Sequence, residues 1–185
     1  MLTVLYTIHR HSKEIEIIEA TFGDSLKSSS IAYDEKATTV TVTFPSALPQ
    51  GQGVLYMKFN GELNPDMAGF YKSSYTDANG QTKVMASTQF EALDARRAFV
   101  CWDEPAVKAT FQVSITCDQN LTAISNMPET SILHIPGGRK RVDFGVSPVM
   151  STYILAWAVG EFDMVQVRQL WVLEGDEGAC SRWLG

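Results

Sequence analysis

The stretch "TVTVTF", Thr39–Phe44, alternates without a break: Val40, Val42 and Phe44 stand on one parity and Thr39, Thr41 and Thr43 on the other. In an extended chain successive side chains leave opposite faces, so this pattern predicts a strand with one buried and one polar face. The same period recurs at Phe111, Val113, Ile115 and Cys117, set between Gln112, Ser114, Thr116 and Asp118. Ile15 and Ile17 alternate with Glu14 and Glu16, after which the apolar phase slips to Ile18, Ala20 and Phe22. A slip of one residue moves the buried set to the other face, so a bulge or a face switch is expected there.

"GVLYMKFNG" (Gly53–Gly61) and "TYILAWAVG" (Thr152–Gly160) are largely apolar on both parities, which predicts central strands covered on both sides. Asn79-Gly80, between "GFYKSSY" and "TKVMAST", is a hairpin signal of the type I′ kind. Pro45, Pro49 and Gly51 punctuate a second connection, and Pro136-Gly137-Gly138 a third. No stretch of about ten residues or more carries the helical period. The best short helical candidate is "FEALDARR", Phe90–Arg97, with Asp94 as its cap. The fold class that follows is mainly β, an antiparallel β-sandwich or saddle with a short helical loop.

A chain of 185 residues with 45% apolar content builds one domain with a real core. Its net charge of −6 argues against nucleic acid or an anionic membrane surface, since both require a basic face. The one basic cluster, Arg139-Lys140-Arg141, follows two glycines and reads as a solvated turn and strand start. No apolar run reaches the ~18 residues of a membrane span. The opening "MLTVLYTIHRHSK" lacks a basic leader and a small-residue cleavage site. Cys101, Cys117 and Cys180 are odd in number and match neither a disulfide framework nor a metal pair, which fits a reducing compartment. The expectation is a soluble cytoplasmic protein.

Chemistry-capable residues concentrate in "STQFEALDARRAFVCWDEPAVKATF", Ser87–Phe111. Glu91, Asp94, Asp103 and Glu104 lie near Arg96 and Arg97, and on the residues alone an ion-pair network holding a loop to the sheet outweighs an acid and base pair. Cys101, between Val100 and Trp102, reads as a small buried apolar residue rather than a nucleophile. His9 and His11 fall on one side of a strand, but no zinc spacing surrounds them, so no metal site is expected.

The same stretch, from Thr88 to Phe111, resembles the hallmark of the N-terminal domain of the gluzincin aminopeptidases, the family of aminopeptidase N, and within it the puromycin-sensitive type. "NGELNPDMAGFYKSSY" before it, and "NMPET" and "SPVMSTYILAWAVGEFD" after it, agree in order. The resemblance implies a β-saddle that packs on a thermolysin-like zinc domain and sends a glutamine-bearing loop into the active site. By motif position it implies that Gln89 lines the pocket for the first substrate side chain and that Glu91 binds the substrate's free α-ammonium group. Asp94, Arg96, Arg97, Asp103 and Glu104 then become loop scaffolding. The resemblance places the domain at residues 11–166, with 1–10 and 167–185 as terminal segments outside it.

Departures from the family are visible. The Gly-x-Met-Glu-Asn loop, the His-Glu-x-x-His zinc helix and the transition-state tyrosine of the catalytic domain do not occur in these 185 residues. Val100 stands where the family has proline, and the family's opening strand pair is missing ahead of His11, which should bare a sheet edge. "VRQLWVLEGDEGACSRWLG", from Val167, does not resemble the family's continuation. The expectation is a shortened chain that carries substrate-binding residues without catalytic ones. It needs no cofactor of its own, although zinc belongs to the full-length family, and it is inactive as a peptidase alone. Its expected partners are peptide N-termini and an aminopeptidase catalytic domain. The alternative is a β-domain interaction module that modulates a full-length relative.

Overall fold

The structure, a computed structural model, describes residues 5–162. The first lobe contains β1 (Thr7–His11), β2 (Ile15–Phe22), β3 (Leu26–Lys27), β4 (Ser30–Asp34), β5 (Thr39–Thr43) and β6 (Leu55–Gly61). Then come β7 (Gly69–Thr76), β8 (Thr82–Gln89), β9 (Lys108–Ala109), β10 (Ser114–Asp118) and β11 (Thr122–Ser125). The last are β12 (Glu129–Ile135), β13 (Arg139–Phe144), β14 (Met150–Ser151) and β15 (Trp157–Gly160). All pairings within the sheets are antiparallel, so the mainly β expectation holds.

Two three-stranded sheets, β1-β5-β4 and β3-β2-β6, enclose one core. It contains Ile15, Ile17, Ala20, Val40, Val42 and Phe44, the residues that the alternation places on buried faces. The slip in β2 is a bulge: Ile17 pairs with Phe59 and Glu19 with Lys58, leaving Ile18 unpaired and 51% exposed. That extra residue returns Ala20 to the core, where it is 1% exposed. Thr39, on the polar parity of the opening stretch, is buried at the strand end beside the Arg96–Thr38 contact.

The second half holds β11-β15-β8-β7 and β10-β13-β12. Their shared core gathers Cys117, Ala123, Val142 and Phe144. Of the central strand expected over "TYILAWAVG", Thr152–Gly160, only Trp157–Gly160 is strand: β15 is internal to its sheet, while Thr152–Ile154 forms a 3₁₀ turn instead. The stretch "GVLYMKFNG" differs from expectation. β6 is an edge strand, with Leu55, Met57 and Phe59 against the core and Tyr56, Lys58 and Asn60 outward. Tyr56 is apolar enough to mimic a second buried face, but its phenol end tolerates water.

Three further expectations change. Asn79-Gly80 does join β7 to β8, but only Gly80 has positive φ, at 77°. Gly80 N–H donates to the Asp77 carbonyl (3.0 Å) and Asp77 N–H to the Gln81 carbonyl (2.9 Å), a type I turn closed by a left-handed glycine rather than type I′. The helical candidate shrinks to a 3₁₀ turn, Ala95–Arg97, and Asp94 makes no side-chain cap bond. Residues 7–10, expected outside the domain, form most of β1 and pair with β5 from Thr7↔Thr43 to His11↔Thr39. The expected tail, 167–185, lies outside the described residues.

Candidate functional site: an anchored loop with two outward polar side chains

β8 runs through Thr88 into Gln89 and the loop beyond, and the strand alternation continues into the loop. Phe90 turns inward and is 2% exposed, while Gln89 and Glu91 turn outward and are exposed. The Phe90 ring meets Trp157 at 5.3 Å and Phe99 at 6.0 Å, both edge-on. Such packing fixes the backbone at the point from which the two polar side chains leave. Gln89 Nε2 approaches the Glu91 carbonyl oxygen at 3.5 Å, the long limit of a hydrogen bond. The Glu91–Ala92 peptide is cis. Among the described residues no basic group forms a salt bridge with Glu91, although Arg96 and Arg97 are close in sequence.

Both arginines are committed elsewhere. Arg96 Nε donates to Asp103 Oδ2 at 2.9 Å, Arg96 Nη2 to the Asp103 carbonyl at 3.2 Å, and the Arg96 backbone N–H to Oδ2 at 3.2 Å. Arg96 Nη1 donates to Thr38 Oγ1 at 2.6 Å. Asp103 N–H donates to His11 Nδ1 at 3.0 Å, so that ring nitrogen carries no proton. Burial and the Arg96 charge hold the His11 imidazole below its ordinary value. The hub therefore joins three segments far apart in the chain: β1, the β4–β5 turn and the loop.

Arg97 forms a second clasp. Its Nε lies 3.1 Å from Asp94 Oδ1 and its Nη1 3.1 Å from Glu14 Oε2. Both nitrogens are buried and poorly aligned for hydrogen bonds, so these are charge contacts rather than shaped bonds. Gly69, opposite Gln89 in the β7–β8 ladder, makes the approach possible. Its φ is +73°, and a Cβ there would sit 2.6 Å from Arg97 Cβ.

The far end of the loop is pinned as firmly. Cys101 exchanges backbone hydrogen bonds with His11, at 2.9 and 3.2 Å. Arg10 stacks over Trp102, 3.4 Å from the ring centroid. Thr152 Oγ1 donates to the Trp102 carbonyl at 2.9 Å, and Ser151 Oγ to the Pro105 carbonyl at 2.6 Å. Burial, with Asp103 adding to it, pushes the thiol of the partly buried Cys101 up to about 12, which disfavours a resting thiolate.

The sequence-predicted residues thus divide cleanly. Gln89 and Glu91 come together on an open surface and line none of the larger cavities. Asp94, Arg96, Arg97 and Asp103 brace the loop, and Glu104 makes no ion pair among the described residues. His9 and His11 do not fit zinc: His9 Nδ1 is 2.8 Å from Thr41 Oγ1, His11 Nδ1 accepts from Asp103, and no third ligand stands near among the described residues. The roles of Gly69, Thr38 and His11 in the loop escape sequence reasoning, because each acts across a long chain separation. Only the glycine between Ala68 and Phe70, at a strand start, was a signal.

No helix among the described residues is long and apolar enough to cross a membrane. Cys101 and Cys117 are free thiols. Residues 3–154 match the Peptidase M1 N-terminal domain. The chain is 46% identical over 147 residues to a puromycin-sensitive aminopeptidase of Caenorhabditis elegans, covering 79% of this chain and 16% of that protein. It is 46% identical over 141 residues to aminopeptidase M1-D of Oryza sativa subsp. japonica, covering 76% of this chain and 16% of the relative. To an aminopeptidase N of Acetobacter pasteurianus it is 41% identical over 143 residues, covering 77% of this chain and 40% of that one. The chain thus spans about 16% of the length of the first of these relatives. The matched region contains every residue of the anchored loop, and this chain belongs to the Peptidase M1 N-terminal domain family.

Proposed function

We propose that this chain supplies the wall of a zinc metalloaminopeptidase that recognises a substrate's N-terminus, Gln89 beside the first side chain and Glu91 on the α-ammonium group. The observation that carries the reading is the outward pairing of Gln89 and Glu91 on a loop anchored by Phe90, with no basic group in a salt bridge to the Glu91 carboxylate among the described residues. A carboxylate with free acceptor capacity forms a charge-assisted bond to an ammonium group and none to an acylated amine. Such a residue orients substrate without breaking a bond. Zinc and its activated water belong to a catalytic domain, and the residues present here do not fit that metal. The chain alone is inactive.

Two titrations test this. With leucinamide added to the full chain, backbone NMR shifts should change at residues 89–92, and N-acetyl-leucinamide should leave them unmoved. An equal response to both removes the recognition reading. Cleavage of an aminoacyl fluorogenic substrate by the pure chain, abolished by a chelator, removes the claim of inactivity.

A second reading, an interaction surface for an aminopeptidase catalytic domain, draws support from Met67 and Leu93. These side chains, 68% and 52% exposed, flank the clasp around Arg97. A cytosolic setting accords with the free thiols of Cys101 and Cys117.

A further inference from the structure

β1 carries a charge on its inward side. Ile8 stands opposite Val42 and Arg10 opposite Val40, and residues directly opposite in an antiparallel pair share a face. Val40 and Val42 are 0% and 1% exposed, so Arg10 occupies the core-facing side of an edge strand. It is half-buried, yet it forms no salt bridge among the described residues. Burial lowers the guanidinium's pKa from its ordinary value, and no carboxylate acts to raise it. A half-buried cation without a counter-charge lacks the partner that offsets its desolvation.

The Arg10 side chain is nonetheless held in one place. The antiparallel bridge between His11 and Cys101 sets Trp102 across from Arg10, and the guanidinium lies over the indole, 3.4 Å from the ring centroid. Nη1 donates to the His9 carbonyl at 2.8 Å, its one hydrogen bond among the described residues. Stacking covers a face of the planar group and leaves the in-plane N–H donors of Nε and Nη2 available. Such a fixed edge matches the two oxygens of a carboxylate.

Arg10 and Trp102 both line a cavity of about 820 Å³, in which Arg10 is the only permanently charged side chain among the described lining residues. Ile8, Phe22, Leu48 and Val54 supply its apolar walls. Gly53 shapes one of them: a Cβ there would collide with the Phe22 ring. The same ring rests edge-on against Phe44 at 6.1 Å, which fixes that wall to the core. Apolar walls with one oriented polar group are the usual make-up of a small-molecule site.

The geometry points to a binding site for a small monocarboxylic acid with an apolar body, its carboxylate on the Arg10 edge and its hydrocarbon against Ile8, Phe22 and Leu48. A single guanidinium neutralises one charge, which suits a carboxylate better than a phosphate. Neither Gln89 nor Glu91 lines this cavity, so the proposal stands apart from the reading of the loop.

Titration of the full chain with octanoate at neutral pH, followed by NMR, tests it. Saturable shifts should appear at the amides of residues 8–10, 53 and 54 and at the Trp102 indole N–H. Acetate, which lacks the apolar body, and octanol, which lacks the charge, should each bind about tenfold or more weaker. Arg10→Met keeps a long apolar stem over Trp102 and should weaken octanoate binding about tenfold or more. Should that variant fail to fold, Val54→Glu, at a lining position that is 71% exposed, sets a carboxylate against the ligand and should weaken it likewise. Equal binding of octanol, or octanoate affinity that the folded variant leaves unchanged, overturns the proposal. So do shifts confined to Phe70, Trp157 and Val159, which line a separate apolar cleft of about 880 Å³. No shift at all overturns it too, and leaves Arg10 as an inward charge that keeps the edge of β1 from pairing with other chains.

Discussion

Arg96 Nε and Asp103 Oδ2 lie 2.9 Å apart inside the protein, where the two residues are 8% and 2% exposed. A buried ion pair is weak support for stability compared with apolar packing, but removing one partner strands the other charge without water. Asp103 also holds the Arg96 backbone N–H and Nη2, so it closes a small hydrogen-bonded ring. The pair therefore sets the loop's position as well as its strength.

Asp103→Ala should destabilise the chain by roughly 3–5 kcal/mol. Urea unfolding of the variant checks this, and a loss below about 1 kcal/mol would show that water already reaches the pair. In a double-mutant cycle with Arg96→Met the two losses should be strongly non-additive.

His11 makes stability depend on pH. Its folded pKa lies below the ordinary value of about 6.5, so the unfolded chain binds the proton more readily. The contribution is fully present above about 6.5 and is lost as pH falls below that value towards the folded pKa. Denaturant midpoints should therefore drop between pH 7 and pH 5. His11→Asn keeps an acceptor for Asp103 N–H and should flatten that slope, so an unchanged slope assigns the effect to another group.

Gly69→Ala should cost about 2 kcal/mol or more, because its φ of +73° disfavours a Cβ and that Cβ would meet Arg97 at 2.6 Å. The damage should also spread to the Gln89 amide, its ladder partner, visible as an NMR shift. A neutral melting temperature for this variant would mean that Arg97 moves aside freely.

Cys101 should resist alkylation. With its thiol pushed up to about 12, only roughly 10⁻⁴ of it is thiolate at pH 8. Peptide mapping after iodoacetamide should find Cys101 unmodified in the folded chain and modified in urea. Modification under native conditions would disprove the burial.

Glu91→Gln should leave the unfolding midpoint within about 0.5 kcal/mol of the parent, since the side chain is exposed and forms no ion pair among the described residues. Leucinamide binding should fall in the same variant. Loss of stability instead would make Glu91 a brace like its neighbours.

The strands were legible because their signal is local. Val40, Val42 and Phe44 declare a buried face in six consecutive residues, and the bulge at Ile18 appears as a phase slip. The turn at Asn79-Gly80 was legible as a turn but not in its type, because Asp77 redirects the backbone through Asn79 and Gln81 N–H bonds to its carboxylate. β6 was misjudged as central because Tyr56 counts as apolar in a pattern and stands in water in the fold.

The sequence by itself determined the β class and the family, since alternation and a long motif are properties of neighbouring residues. Tertiary structure alone decided which charges are spoken for. Arg96 lies close in sequence to Glu91 yet bonds Asp103 and Thr38, while His11, 92 residues before Asp103, supplies the acceptor for its backbone N–H. Ion pairing depends on distance and burial in space, and those are set only when β1, the β4–β5 turn and the loop pack together.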